Sequence, residues 1–240
     1  MLSLEQQDRW RGVYAREHPG WRPATEEFAA RVRSVLSPDA RLLDLGCGRG
    51  GLVEQLDHTK SGSVGVDPDL VSLQEHRLAG FLRAQAPSGA LPFAPGAFDV
   101  VIASWLLEHL QNPSNTLAEV SRVLRTGGQF IFITPNGRHP LNRINRFAGR
   151  PGRFQGQLVA RLYGRTQEDT FPTIYDANSR EQLAKLATVA GLTLRDLTFV
   201  ADPSYLAFNK LLFRIMSQLD DRLPVTFRVH LVGVMQKPIA

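Results

Sequence analysis

The 240-residue sequence predicts an α/β fold: a doubly wound, seven-stranded sheet, mostly parallel with an antiparallel last strand, and helices on both faces. Three observations carry this expectation. Short apolar stretches rich in branched and aromatic residues, "RLLDLG", "SVGVD", "FDVVIAS" and "QFIFIT", alternate with helical patterns of about ten to fifteen residues. A glycine-rich turn, "GCGRGG", follows the first of them directly. At 43% hydrophobic content a chain of this length buries a full core, so one domain spanning 1–240 is the natural unit.

The elements follow in order. "GWRPAT" at 20–25 introduces a first helix, with Trp10, Tyr14 and Trp21 on or before it, either as an aromatic lid or as packing of a docked N-terminal helix. Strands fall near 41–45, 63–67, 98–103 and 128–134, with a weaker one near 82–85; helices fall at about 50–58, 69–80 and 113–125. The last of these ends in "RTGG", where Gly127 and Gly128 turn the chain into the next strand. After Thr134 the texture changes to "PNGRHPLNRINRFAGRPGRF", so residues 135 to about 176 read as a substrate-facing insertion. "DANSREQLAKLATVAGL" resumes as a helix capped by Asn178 or Ser179. A strand from Leu192 comes next. A variable C-terminal section at about 203–240 then supplies an apolar helix around 204–219 and a final alternating strand in "TFRVHLVGVMQK". The count is seven, in a Rossmann-like order.

Composition narrows the function classes. One cysteine, Cys47, leaves no internal disulfide framework and suits a reducing compartment. "MLSLEQQDRW" lacks a basic start before an apolar run, and no uninterrupted apolar stretch approaches the ~18 residues of a membrane helix, so a cytoplasmic protein is expected. Charge is uneven. Residues 138–167 hold seven arginines and no acid, and removing those seven charges from the net +5 leaves −2. A local cluster of this kind suits an anionic partner or is a solvated insertion; uniform basicity would suit nucleic acid.

The glycine turn admits two cofactors. Gly46, Gly48 and Gly51 satisfy the dinucleotide pattern G-x-G-x-x-G, with the acidic Asp67 further on. The same stretch also satisfies D-x-G-x-G-x-G through Asp44, Gly46, Gly48 and Gly50. Asp44 decides between them. A carboxylate at the end of the first strand repels a diphosphate and attracts the ammonium and sulfonium of S-adenosylmethionine. Asp67 can accept ribose hydroxyls in either case.

With these residues in hand, the sequence resembles the class I S-adenosylmethionine-dependent methyltransferases of the ubiquinone or small-molecule type. "LLDLGCGRG", "GVDPD", "ALPFAPGAFDVVIASWLLEHL", "EVSRVLRTGGQFIFITPN" and "LAKLATVAGL" occur in the family's order over roughly residues 20–200. The resemblance implies that Asp44, Gly46 and Gly48 line the methionine end, with Cys47 between them as a small residue without chemistry of its own. It implies Asp67 at the ribose, and Pro68 with residues 88–91, including Ser88, Ala90 and Leu91, at the adenine. Ser104, Trp105 and His109 would lie near the transferable methyl group. Arg22 is expected to pair with the cofactor carboxylate. S-adenosyl-L-homocysteine would be the product. One departure stands out: the aspartate that family members often carry before "LPF" is absent, and Pro87 stands there.

For the acceptor, a small molecule with an oxygen nucleophile is expected, anionic or lipophilic, with Glu108 and His109 as the base pair and His139 and Tyr175 ranking lower. The Glu-x-x-Glu-His metal pattern of some ubiquinone-pathway enzymes has Trp105 in place of its first glutamate, so no metal is expected. The Asn/Asp-Pro-Pro-Tyr signature of amino methyltransferases is absent after the fourth strand, where "SWLL" stands. Leu141, Ile144 and Phe147 with Arg143, Arg146 and Arg150 form a basic amphipathic pattern, a lid or a peripheral membrane contact. An RNA methyltransferase and an NAD-dependent oxidoreductase are the rival readings, and a family member that binds the cofactor without turnover is a third. Nucleic acid is disfavoured for want of a separate binding module. The sequence leaves the oligomeric state open.

Overall fold

Alternation of side chains along the strands determines what the sheet can cover. In the computed structural model, which describes residues 3–56, 62–143 and 173–239, Leu42–Leu45 (β1) is buried at all four positions. A strand with two covered faces is the mark of a central parallel position. Ser63–Asp67 (β2) and Phe98–Ser104 (β4) flank β1 in parallel; Leu82–Gln85 (β3) forms the exposed edge beyond β2. Leu124–Pro135 (β5) pairs parallel to β4. His230–Gln236 (β7) inserts antiparallel between β5 and Thr193–Val200 (β6), giving the order β3-β2-β1-β4-β5-β7-β6. The predicted seven strands and antiparallel last strand are present.

Two cores result. Leu43, Leu45, Val101, Ala103, Phe130 and Phe132 point to one face, where helices Pro113–Val123 (α4) and Arg180–Val189 (α5) bring Leu117, Val120 and Leu183. Leu42, Val100, Ile102, Ile131 and Ile133 point to the other, against Phe28 and Val32 of Ala24–Val35 (α2) and against Leu52 and Val53. The odd and even residues of each strand thus serve opposite layers. Fully burying each large apolar side chain is worth about 1.5–3 kcal/mol. Ser179 caps α5 by accepting from the Gln182 amide, and Asn112 caps α4 in the same way.

Several elements differ from the sequence expectation. The helix expected at 50–58 is a single 3-10 turn, Leu52–Gln55, within the described residues. The helix expected at 69–80 is Leu70–Gln74 (α3); beyond it the buried His76 ring accepts from the Leu78 amide and stacks on Phe81, which turns the chain early. The apolar run around 204–219 divides into a 3-10 turn at Pro203–Leu206 and Lys210–Arg222 (α6), because Asn209 caps the second piece. "RTGG" lies inside β5, which begins with Leu124 opposite Phe98.

The N-terminal helix Leu4–Glu17 (α1) docks on α6. Trp10 stacks on Phe213 at 4.7 Å, the Tyr14 hydroxyl donates to Asp221, and the Trp21 indole donates to the Ala201 carbonyl at 3.0 Å. These aromatics are packing, the second of the two readings. Of the arginine-rich insertion, Arg138 pairs with Glu181 and lies over the Phe227 ring. Leu141 and Arg143 are described, whereas Ile144, Arg146, Phe147 and Arg150 lie outside the described residues. Among the described residues no helix is long and apolar enough to cross a membrane.

Candidate active site

The first βα turn is built by backbone donors converging on the end of β2. The amides of Gly46 and Cys47 both donate to the Val66 carbonyl, at 2.8 and 3.1 Å, and the Gly50 amide closes the turn on the Cys47 carbonyl. Gly46 sits at φ +74°, and a Cβ there would lie 3.0 Å from Leu106 Cδ1, so both conformation and space call for glycine. Gly65 answers a different need: a Cβ would lie 2.6 Å from Cys47 Sγ and 2.7 Å from the Phe81 ring. Asp67 is fixed by two amides, Gly48 on Oδ2 at 3.0 Å and Asp69 on Oδ1 at 2.9 Å.

Beside this turn a cavity of about 280 Å³ is lined by Asp44, Gly46, Cys47, Gly50 and Gly51 from the first βα segment and by Ser104 and Trp105 from the end of β4. Thr25, Phe28, Leu52 and Gln55 complete it. Asp44 is 4% exposed, and among the described residues its carboxylate has no hydrogen-bond or ion-pair partner. Burial, then the neighbouring Asp67 and Glu54, push its pKa up to about 7. Burial likewise pushes the Cys47 thiol up, which keeps it unreactive. An uncompensated buried carboxylate at a cavity wall fits a cationic group and opposes an anionic one. The residues present therefore suit the amino-acid end of S-adenosylmethionine and do not suit a diphosphate.

Trp105 adopts φ +56°, a left-handed conformation uncommon for a bulky residue, and its amide donates to the Ile133 carbonyl. Such backbone costs about 1–3 kcal/mol and persists where surrounding structure enforces it. The ring stands edge-on to His230, 5.0 Å between centroids. His230 is buried, its Nε2 lies 2.8 Å from the Tyr205 hydroxyl, and burial pushes its pKa down to about 4, so it is neutral. Alternation predicted β7 but gave no signal for this histidine, nor for the lining residues Phe28 and Gln55. Thr25 falls within "GWRPAT" and was within reach.

The other sequence-predicted residues are distributed differently. Glu108 is buried and accepts from Thr134 Oγ1 at 3.0 Å, while Asn178 donates to that same Oγ1 at 2.6 Å. Its backbone carbonyl accepts from Ile174 and Tyr175. His109 Nε2 stands 4.0 Å from Glu108 Oε1, beyond a hydrogen bond. Neither lines the cavity. His139 is buried with Nε2 3.8 Å from Asp220 Oδ1, and Tyr175 is buried at φ +62°. Pro68, Ser88, Ala90 and Leu91 also lie off the cavity. The Pro68 carbonyl accepts from Gln85, Ser88 bonds Thr116, the Ala90 amide donates to Pro87, and the Leu91 amide donates to Glu119. Arg22 is exposed and outside the cavity lining. Among the described residues no set of His, Cys, Asp and Glu is gathered as metal ligands.

Residues 43–132 match the family described as Methyltransferase domain. A ubiquinone biosynthesis O-methyltransferase of Thiobacillus denitrificans is 28% identical over 165 residues, which is 66% of this chain and 66% of that protein. A trans-aconitate 2-methyltransferase of Methylobacterium nodulans is 32% identical over 162 residues, 65% of this chain and 60% of that protein. These matches stop at about two thirds of the relatives' lengths. Among solved structures, the complex between the Haloferax volcanii Trm112 methyltransferase activator and a methyltransferase contains a chain that superposes with a TM-score of 0.61 at 17% identity, covering 98% of this chain and 97% of that one. Likeness at that identity speaks to the fold.

Proposed function

We propose that this chain, which belongs to the class I S-adenosylmethionine-dependent methyltransferases, transfers a methyl group to a small-molecule acceptor at an oxygen atom and releases S-adenosyl-L-homocysteine. The observation that carries the reading is Asp44: a buried carboxylate without a countercharge, at the wall of the cavity beside the glycine turn. When bound, the cofactor supplies a methyl carbon already activated by its positive sulfur. The protein's work is then to hold the two reactants in line and to keep water out.

In this reading Asp44 and the Gly46–Gly48 backbone hold the cationic amino-acid end, with Cys47 packed beneath, and Arg22 reaches its carboxylate. Asp67 receives the ribose hydroxyls on lone pairs that its two amide donors leave over. Pro68 and the 88–91 segment flank the adenine. Ser104 and Trp105, at the end of β4, bound the space for the acceptor, where the enforced backbone of Trp105 makes the wall rigid. His109 takes the acceptor's proton at a ring nitrogen. Glu108, bonded to Thr134, holds the turn that carries His109. The relative named as an O-methyltransferase supports oxygen as the acceptor atom.

The test is transfer of a labelled methyl group into a cell extract, followed by identification of the labelled product. A labelled small molecule is expected, and His109→Ala should lower the rate by about 10²–10⁴ while leaving cofactor affinity unchanged. Label recovered in RNA, or cofactor binding with no labelled product, contradicts the reading; equal losses in rate and affinity remove His109 from the role of base.

A further inference from the structure

Helix α6 carries an outward face that nothing among the described residues covers. Phe213, Ser217 and Asp220 turn inward, whereas Leu211, Ile215 and Leu219 are 68%, 51% and 46% exposed. Residues four apart stack in one row along a helix, so these three form a continuous apolar ridge. Leu212 and Phe208, also exposed, widen it on one side. Single exposed leucines are ordinary on a surface, but a contiguous apolar stripe marks a contact.

The neighbouring row on the other side is Lys210, Arg214, Gln218 and Arg222, all exposed. None of its three cations has an acidic partner among the described residues. The acids of the helix are spent elsewhere: Asp220 is buried, and Asp221 is held by the Tyr14 hydroxyl at 3.1 Å and by His18 Nε2 at 2.9 Å. Apolar ridges bordered by a cationic row, with no anion between them, describe a helix that lies in a lipid–water boundary.

We propose that α6 docks this protein on an anionic phospholipid surface, with its leucine and isoleucine ridge at the headgroup–acyl boundary and Lys210, Arg214 and Arg222 against the lipid phosphates. Charge complementarity selects this occupant. A second copy offers the same cations, and the one carboxylate beside them, Asp221, is already held by Tyr14 and His18. The attraction acts over roughly 10 Å at ordinary ionic strength and weakens with added salt.

The experiment is co-sedimentation of the full chain with vesicles of phosphatidylcholine alone and of phosphatidylcholine mixed with phosphatidylglycerol. The chain is expected to pellet with the mixed vesicles, to stay in solution with the neutral ones, and to be released by salt. Leu211→Gln/Ile215→Gln should abolish pelleting, and Lys210→Gln/Arg214→Gln should lower the partition about fivefold for each cation removed. All four positions are exposed, so both variants should keep the wild-type melting temperature. Wild-type chain left in solution with both vesicles overturns the proposal. Undiminished pelleting of Leu211→Gln/Ile215→Gln also overturns it, since another basic segment would then carry the binding. A dimer that this variant splits, without vesicle binding by the wild type, makes the face an interface between copies.

Discussion

Asp44 is the residue on which the proposed chemistry turns, and its burial has a measurable consequence before any cofactor is added. Its folded pKa is about 7 against an ordinary 3.8, so between those values the unfolded chain has released a proton that the folded chain retains. Stability therefore falls as pH rises from about 4 to about 7 and is level above; at ~1.4 kcal/mol per unit the penalty is of the order of 4 kcal/mol. Asp44→Asn should be the more stable protein in denaturant titrations at pH 8 without cofactor, by part of that amount, and should match wild type near pH 4. No gain at pH 8 contradicts the claim that this carboxylate is buried uncompensated. Asp67→Ala should weaken cofactor binding by about 1–3 kcal/mol through lost hydrogen bonds, read by calorimetry; unchanged affinity takes Asp67 out of the site. The sequence placed both aspartates at strand ends beside the glycine turn, and the structure puts Asp44 at the cavity wall and Asp67 on the amides of Gly48 and Asp69. The adenine side was not legible. Ser88 and the Leu91 amide bond within the fold, and Pro87 stands where an acid would have marked the place.

Among the elements, α1 adds a buried ion pair to its aromatic docking contacts. Arg11 reaches Asp202 Oδ2 through Nε and a terminal nitrogen at 2.9 and 2.8 Å, and Ser204 donates to the other carboxylate oxygen. The Asp202 side chain is 2% exposed. Arg11→Ala leaves that charge buried without a countercharge, and should cost about 3–5 kcal/mol in chemical denaturation; a loss below about 1 kcal/mol would mean water reaches Asp202 on its own. Such long-range pairs were invisible in the sequence, since Arg11 and Asp202 carry no mark of each other. Strands were far more legible than helices. β1, β2 and β4 have both faces covered and so read as short, mostly apolar runs, whereas α3 and α6 were misjudged in extent because local capping by His76 and Asn209, not periodicity, sets where they end and begin.

At the scale of the whole molecule, the sheet order brings the ends of β1, β2 and β4 together, and with them the two aspartates and Trp105, from three separate stretches of sequence. That convergence follows from strand-by-strand periodicity and the right-handed crossover rule, which is why the architecture was readable from sequence. The surroundings of Trp105 were not, because His230 reaches it from β7, far along the chain, and the outer part of the arginine-rich insertion lies beyond the described residues. What the molecule does hinges on which charge the cavity accepts. A calorimetric titration of the protein at pH 8 with S-adenosylmethionine and, separately, with NAD tests this most directly. Saturable heat is expected with S-adenosylmethionine and none with NAD; binding of NAD, with S-adenosylmethionine ignored, would rule out a cavity selective for a cationic ligand.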